Sequence, residues 1–248
     1  MTKFFRTIRH DLMKKNETRN VFKYAFGEII LVVLGILIAI QLNEWRLESS
    51  NNNQKKIILK ALQLEFQANI RQLDTVIYYN EKVPEAYFLA NEMIKKTAKK
   101  YTINEYHKLI MGLSWTYTFN PSNGALRSAI SSSEIHLIHS KRLIEILFSW
   151  EDAIKDSEEE ALTVRKFQYK SFAMKGKYIS AADDWKALFP EILPPNNNSN
   201  YKSLLKDKEF EDYSILSYAY AKEYLVELNE IRNKNLEILF LIKKALKT

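Results

Sequence analysis

Apolar positions recur along this chain in two different ways. Between Ile29 and Ile40 they form an unbroken run, IILVVLGILIAI, set within Tyr24–Trp45 (YAFGEIILVVLGILIAIQLNEW). Downstream they fall three and four residues apart, the spacing that lines one face of an α-helix. Gln54–Asn80 places Leu59, Leu62, Phe66, Ile70, Leu73 and Ile77 on such a face. Pro84 opens a second helix that runs through Lys99 with Tyr87, Ala90 and Ile94 inward, and Asn104–Leu113 forms a short third one. Trp115, Tyr117 and Phe119 alternate as in a strand, but no partner strand is in view and they read as an extended connector that lays aromatics on helices. Asn120-Pro121-Ser122-Asn123 is a turn with a ready N-cap, leading into a helix over Gly124–Ser131. A long helix begins near Lys141 and carries Leu143, Leu147, Trp150, Ile154, Ala161 and Val164 inward. Residues 176–200, with Pro190, Pro194, Pro195 and Asn196 to Asn198, read as a surface loop. From about Glu209 the last helix keeps Ala221, Tyr224, Leu228, Ile231, Asn235, Ile238, Ile242 and Ala245 in alternating steps and is expected as the spine of a bundle. The expected class is all-α: one N-terminal transmembrane helix followed by an extramembrane bundle of long antiparallel helices.

The transmembrane reading rests on the flanks of the run, because Ile29–Ile40 alone is shorter than the roughly 20 residues that cross a bilayer. A helix from Val21 to Leu42 spans roughly 33 Å, and only Lys23 and Glu28 carry charge in it. On an insertion scale its Leu, Ile and Val contribute roughly −3 to −7 kcal/mol, against about +2.5 to +3.5 for a charge at the helix centre. A cleaved signal peptide fits less well, since no small-x-small pair follows the run. The expected organisation is a cytoplasmic basic segment (residues 1–20), the transmembrane helix (21–43), a juxtamembrane linker (44–54) and a periplasmic helical-bundle domain (55–248). In Thr2–Lys15, Phe4, Phe5, Ile8 and Leu12 lie on one side of a basic helix suited to the inner leaflet, the alternative being a disordered basic tail. Thr18 is a candidate N-cap for the span, Trp45 is placed as an interfacial anchor, and Glu44–Asn53 either continues the helix or frays at SSNNN.

Charge sets the orientation. Seven Lys and Arg precede Tyr24 against two acidic residues, a net of +5, whereas Asn43–Asn53 carries a net of −1. Positive flanks stay cytoplasmic, so the N-terminus is expected inside and the bundle in the periplasm. The overall +7 leaves only +2 for the other 225 residues, so the basicity is a topology signal and nucleic acid is not an expected partner. The absence of cysteine excludes disulfides, thiolate metal sites and a cysteine nucleophile, and suits an oxidising compartment.

At 100° per residue, Glu28, Leu31, Gly35, Ala39 and Leu42 share one side of the span. Small residues let helices approach within lipid, and intramembrane carboxylates face protein or water. These five are the candidate helix-contact face, for a second copy of the chain or another envelope membrane protein. The alternative is that Glu28 snorkels to the cytoplasmic interface.

The block YAFGEIILVVLGILIAIQLNEW, preceded by FFRTIRHDL, resembles the N-terminal signature of an uncharacterised family of single-pass envelope proteins of Gram-negative bacteria, known only as a domain of unknown function. NPSNGALRSAISSSEIHLIHSKRLIEIL is similar to that family's second recurring stretch, with Ser133 where the family often has Gly and a more polar EIHLIH. The resemblance implies inner-membrane anchoring with the bulk of the chain in the periplasm, and no activity.

Candidate chemistry is sparse. His136 and His139, three apart with Glu134 nearby, fix no third metal ligand. Asp156 and Glu158–Glu160 read as a solvated helix face, although paired carboxylates can do acid–base work. Tyr213, Tyr218, Tyr220 and Tyr224 line a ligand groove or a partner surface, or else belong to the core as aromatics at helical spacing more often do. No phosphate loop, nucleophile elbow or Ser-His-Asp set stands out. No cofactor, metal or enzyme activity is expected. The expected function is a membrane-anchored periplasmic interaction or scaffold protein that binds inner-membrane lipid and an envelope partner. The alternatives are a ligand-sensing domain signalling through a partner, and a subunit of an energised complex that uses Glu28.

Overall fold

The periodic stretches become α-helix in the computed structural model. It describes Thr7, residues 18–96, 99–186, Phe189, Glu191 and residues 199–247, with backbone alone for residues 18–25, Ser171 and Lys186. In chain order the elements are α1 (Thr18–Asn80), α2 (Lys82–Lys95), α3 (Ile103–Ser114), α4 (Gly124–Ser131), a 3-10 turn (Glu134–Leu137), α5 (Lys141–Lys175), α6 (Ala181–Lys186), α7 (Tyr201–Leu204) and α8 (Lys208–Ala245). Among the described residues there is no strand. The expected amphipathic segment Thr2–Lys15, and Pro190, Pro194, Pro195 and Asn196 to Asn198 of the expected loop, lie outside the described residues.

Packing divides the chain into two units, Met1–Lys56 and Ile57–Thr248. In the first, α1 is helical from Thr18, which is therefore not an N-cap, and it stays helical through Glu44–Asn53. In the second, two cores form. One joins the Leu59–Ile77 stripe of α1 to α4, α5 and the later turns of α8. The other joins α2, α3, residues from Met174 to Leu204 and the first turns of α8. α8 supplies both: Phe210 and Tyr213 to one, Leu228, Ile231, Ile238 and Ile242 to the other.

The inward stripes of the two longest helices of this unit fall where the spacing puts them. All six expected positions of α5 are buried, with Trp150 at 0% exposure and its ring edge-on to Phe66 at 5.0 Å. On α8, Ala221, Tyr224, Leu228, Ile231, Asn235, Ile238 and Ile242 are buried and Ala245 half-buried. Along the α5–α8 contact, Arg142 meets Glu237 and Lys234 donates to the Ser149 carbonyl, while Phe167 packs on Tyr220 and Tyr213.

Other expectations shift for identifiable reasons. α2 buries Val83, Ala86, Ala90 and Met93, leaving Tyr87 and Ile94 half-buried and the helix ending at Lys95. Its contact side is chosen by close approach to α3: a Cβ at Gly112 would lie 2.5 Å from the Ala86 Cβ and 3.1 Å from the Lys82 carbonyl. On α1, Ile70 is only half-buried, because the buried Asn69 beside it pairs both ways with the Ser122 peptide, donating at 2.8 Å and accepting at 2.9 Å. Asn80 grips Tyr117 in the same manner, at 2.8 and 3.2 Å. Within the connector Phe119 is buried, while Tyr117 stacks on Tyr79 and Trp115 meets Trp185 edge-on, both partly exposed. Asn123 does not cap α4 with its side chain, which accepts instead from the Trp150 indole. Glu65 of α1 takes that role, its carboxylate accepting from the Ala125 and Leu126 N–H groups, as an anion at a helix N-terminus should. Ser133 sits at φ 60°, ψ 10°, the left-handed region that costs an L-residue roughly 1–2 kcal/mol and glycine little.

The tight α2–α3 seam makes Gly112 the position least able to accept a side chain. Gly112→Leu is expected to lower unfolding free energy by about 1–3 kcal/mol through overpacking, as read by denaturant titration. A neutral effect would mean the two helices separate freely.

Candidate functional site

The feature most in need of a partner is the apolar part of α1. Phe26 and the eleven Leu, Ile and Val between Ile29 and Leu42 are all exposed. An 18-residue window here has mean hydropathy 2.2 and is 0% buried. Burying one such side chain is worth about 1.5–3 kcal/mol, so twelve exposed to water would cost a sum larger than the 5–15 kcal/mol that stabilises a typical domain. One helix near the start of the chain is thus long and apolar enough to cross a membrane.

The continuous helix puts the five sequence-predicted residues on one stripe. Leu31 is 64% and Leu42 58% exposed, Gly35 and Ala39 are exposed, and Glu28 is half-buried. No atom comes within 4 Å of where a Cβ on Gly35 would stand. The stripe is therefore a shallow apolar surface with a carboxylate at one end. Past it, Trp45 is 69% exposed and Arg46 donates to the Asn43 side chain at 3.4 Å.

The other candidates resolve individually. His136 lies in the 3-10 turn and His139 just after it, both exposed, while Glu134 accepts from Ser132 at 3.0 Å. Among the described residues no three His, Asp or Glu side chains converge as a metal site would need. The four tyrosines do not share a groove. Tyr213 is buried, donating to the Leu113 carbonyl at 2.7 Å and stacked on Phe167; Tyr224 is buried and accepts from the Phe119 N–H. Tyr218 packs on Tyr87, and Tyr220 on Phe167.

Two features escape the sequence pattern. Lys175, in the last turn of α5, has a side chain only 4% exposed. It donates to Ser114 at 2.6 Å and to Asp184 at 3.3 Å, and lies 4.8 Å over the Phe172 ring. Burial lowers its pKa, and Asp184 opposes that shift. Serine and lysine can act as nucleophile and base, but here Ser114 donates its proton to the Ile110 carbonyl and is itself 5% exposed. The pair pins the end of α5 to α3. Glu227 on α8 is the second: its Oε2 is buried without a hydrogen-bond partner among the described residues. Burial raises its pKa first, then the negative charges of Glu160, Asp156, Glu230 and Glu223.

Residues 28–153, half of the chain, match a family of unknown function (DUF6090), and the chain belongs to that family. No curated protein and no solved structure matches it. The matched region contains the whole Ile29–Ile40 run and the whole Asn120–Leu147 stretch.

Because Glu227 holds its proton above the ordinary glutamate range when folded, its contribution is present at acid pH and lost as pH rises through the raised pKa. The melting temperature of Glu227→Gln minus that of the unaltered chain is therefore expected to grow from about pH 4 to about pH 8. A difference independent of pH would contradict this placement.

Proposed function

We propose that this member of the DUF6090 family is a single-pass inner-membrane protein of a bacterial envelope, with its N-terminus cytoplasmic and its helical domain periplasmic. It acts there as a non-catalytic interaction or scaffold protein. The observation that carries the reading is the wholly exposed apolar stretch of α1, for which hydrocarbon is the environment that removes the cost of exposure. The charge step from +5 before Tyr24 to −1 after the span supports the orientation. The proposed organisation is residues 1–20 inside, 21–43 in the bilayer, 44–54 as a juxtamembrane segment and 55–248 outside. Residue numbers that rise along α5 as their α8 partners fall, from Arg142–Glu237 to Phe167–Tyr213, support an antiparallel arrangement of those helices.

The stripe of Glu28, Leu31, Gly35, Ala39 and Leu42 is the proposed contact with a second copy or another envelope membrane protein. A backbone can approach Gly35 and Ala39 closely, and a carboxylate within or near hydrocarbon is best placed against protein.

The chain has no cysteine, so single cysteines can be placed at will. In native membranes, oxidative crosslinking is expected to peak at positions on the stripe, such as Leu31 and Leu42, and to fall at Val33 and Leu37 on other sides of the helix. Adding Gly35→Leu to the stripe variants should weaken it severalfold. Crosslinking that is uniform around the helix, or indifferent to Gly35→Leu, would contradict a specific contact.

A further inference from the structure

Within the second unit, the end of α2, the residues leading into α3 and the region of α7 enclose a pocket of about 400 Å³, a size typical of small-molecule sites. Much of its wall is apolar: Met93 is buried, Ile94 and Leu205 are half-buried, and the Tyr106 ring is held by stacking on Tyr201 at 4.8 Å.

The charge around this wall is unevenly committed. Three lysines line the pocket, Lys99, Lys202 and Lys206. Lys99 is engaged, 3.3 Å from Glu92 and 4.7 Å over the Tyr101 ring. Lys202 and Lys206 are exposed, lie one helical turn apart in sequence, and have no ion-pair partner among the described residues. The two carboxylates at the pocket are occupied. Asp207 accepts from the Tyr178 hydroxyl at 2.6 Å and from the Glu209 N–H at 2.8 Å, and Glu211 lies 3.4 Å from Lys208. Neutral donors leave Asp207 ionised, so with Lys99 and Glu211 paired, Lys202 and Lys206 against Asp207 leave a net charge of +1 at the pocket.

Tyr101 adds a third observation. Its ring lines the pocket, and its hydroxyl is buried with no hydrogen-bond partner among the described residues. A phenol cut off from water without a partner is unfavourable. An anionic oxygen brought within reach of that hydroxyl would accept its proton and relieve the cost.

We propose that this pocket binds a small organic anion with an apolar body. The anionic group lies between Lys202 and Lys206 with Tyr101 donating to it, and the body lies against Met93, Ile94, Leu205 and the Tyr106 ring. The site belongs to the bundle alone and does not rest on the membrane reading. It gives the scaffold a ligand to which its interactions can respond.

The probe is 3-phenylpropionate, titrated calorimetrically into the full-length chain in a neutral detergent, with 3-phenylpropanol and acetate as controls for the charge and the apolar body. The expected result is saturable binding with a Kd of about 1 mM or tighter, and at least about tenfold weaker binding of each control. Lys202→Gln with Lys206→Gln should cost about tenfold, and Tyr101→Phe about threefold or more. All three residues can change without emptying the core, so melting temperatures should stay near that of the unaltered chain. No saturable heat from the probe, equal binding of the alcohol, or an affinity unmoved by the paired lysine change would overturn the proposal.

Discussion

A polypeptide that enters hydrocarbon has no water to satisfy its N–H and C=O groups, so each must be paired within the segment itself. An uninterrupted α-helix meets that condition, and α1 is helical from Thr18 to Asn80 without a break. Its composition follows the same logic. Where the proposed span lies, residues on every side are apolar and exposed; from Leu59 onward only one side is apolar, and that side is buried in the bundle. The proposed span and the bundle thus draw on two different patterns within one helix.

The bundle is then held together partly by polar side chains that act as backbone. Glu65 caps α4, while Asn69 and Asn80 each pair with a peptide group of the connector. A stretch without regular structure that packs against helices would otherwise leave such amides without protein partners. These three residues of α1 hold the stretch between α3 and α4, which buries Phe119 and brings Asn123 to the Trp150 indole. Asn235 stands in contrast, fully buried with neither amide atom bonded among the described residues, an arrangement that costs stability.

Much of this was legible in the residue pattern, because large apolar side chains at helical spacing have few places to go. Leu143, Leu147 and Trp150 on α5, and Leu228, Ile238 and Ile242 on α8, are buried as the spacing requires. The phase of α2 was legible only at Ala90. Its contact is set by Ala86 against Gly112, and small residues weigh little in a hydropathy pattern although they decide how near two helices come. Polar residues that turn inward, Glu65, Asn69 and Lys175, were equally invisible, since nothing local distinguishes them from solvated neighbours. The apolar run was evident as a run, and the stripe of Glu28 to Leu42 followed from helical angles alone. The pocket at Tyr101 joins residues from Met93 to Glu211 and exists only once the chain is folded.

The claim on which the functional reading turns is that residues 26–42 lie in lipid. It is tested most directly by placing one spin label at a time on single cysteines from Phe26 to Trp45, in the chain reconstituted into bilayers, and measuring collisions with oxygen and with a water-soluble nickel chelate. If the claim holds, oxygen contact peaks and nickel contact is minimal near the middle of the run, around Gly35 and Ile36, with nickel contact recovering toward Trp45. High nickel contact throughout the run would place this helix in water and contradict the account.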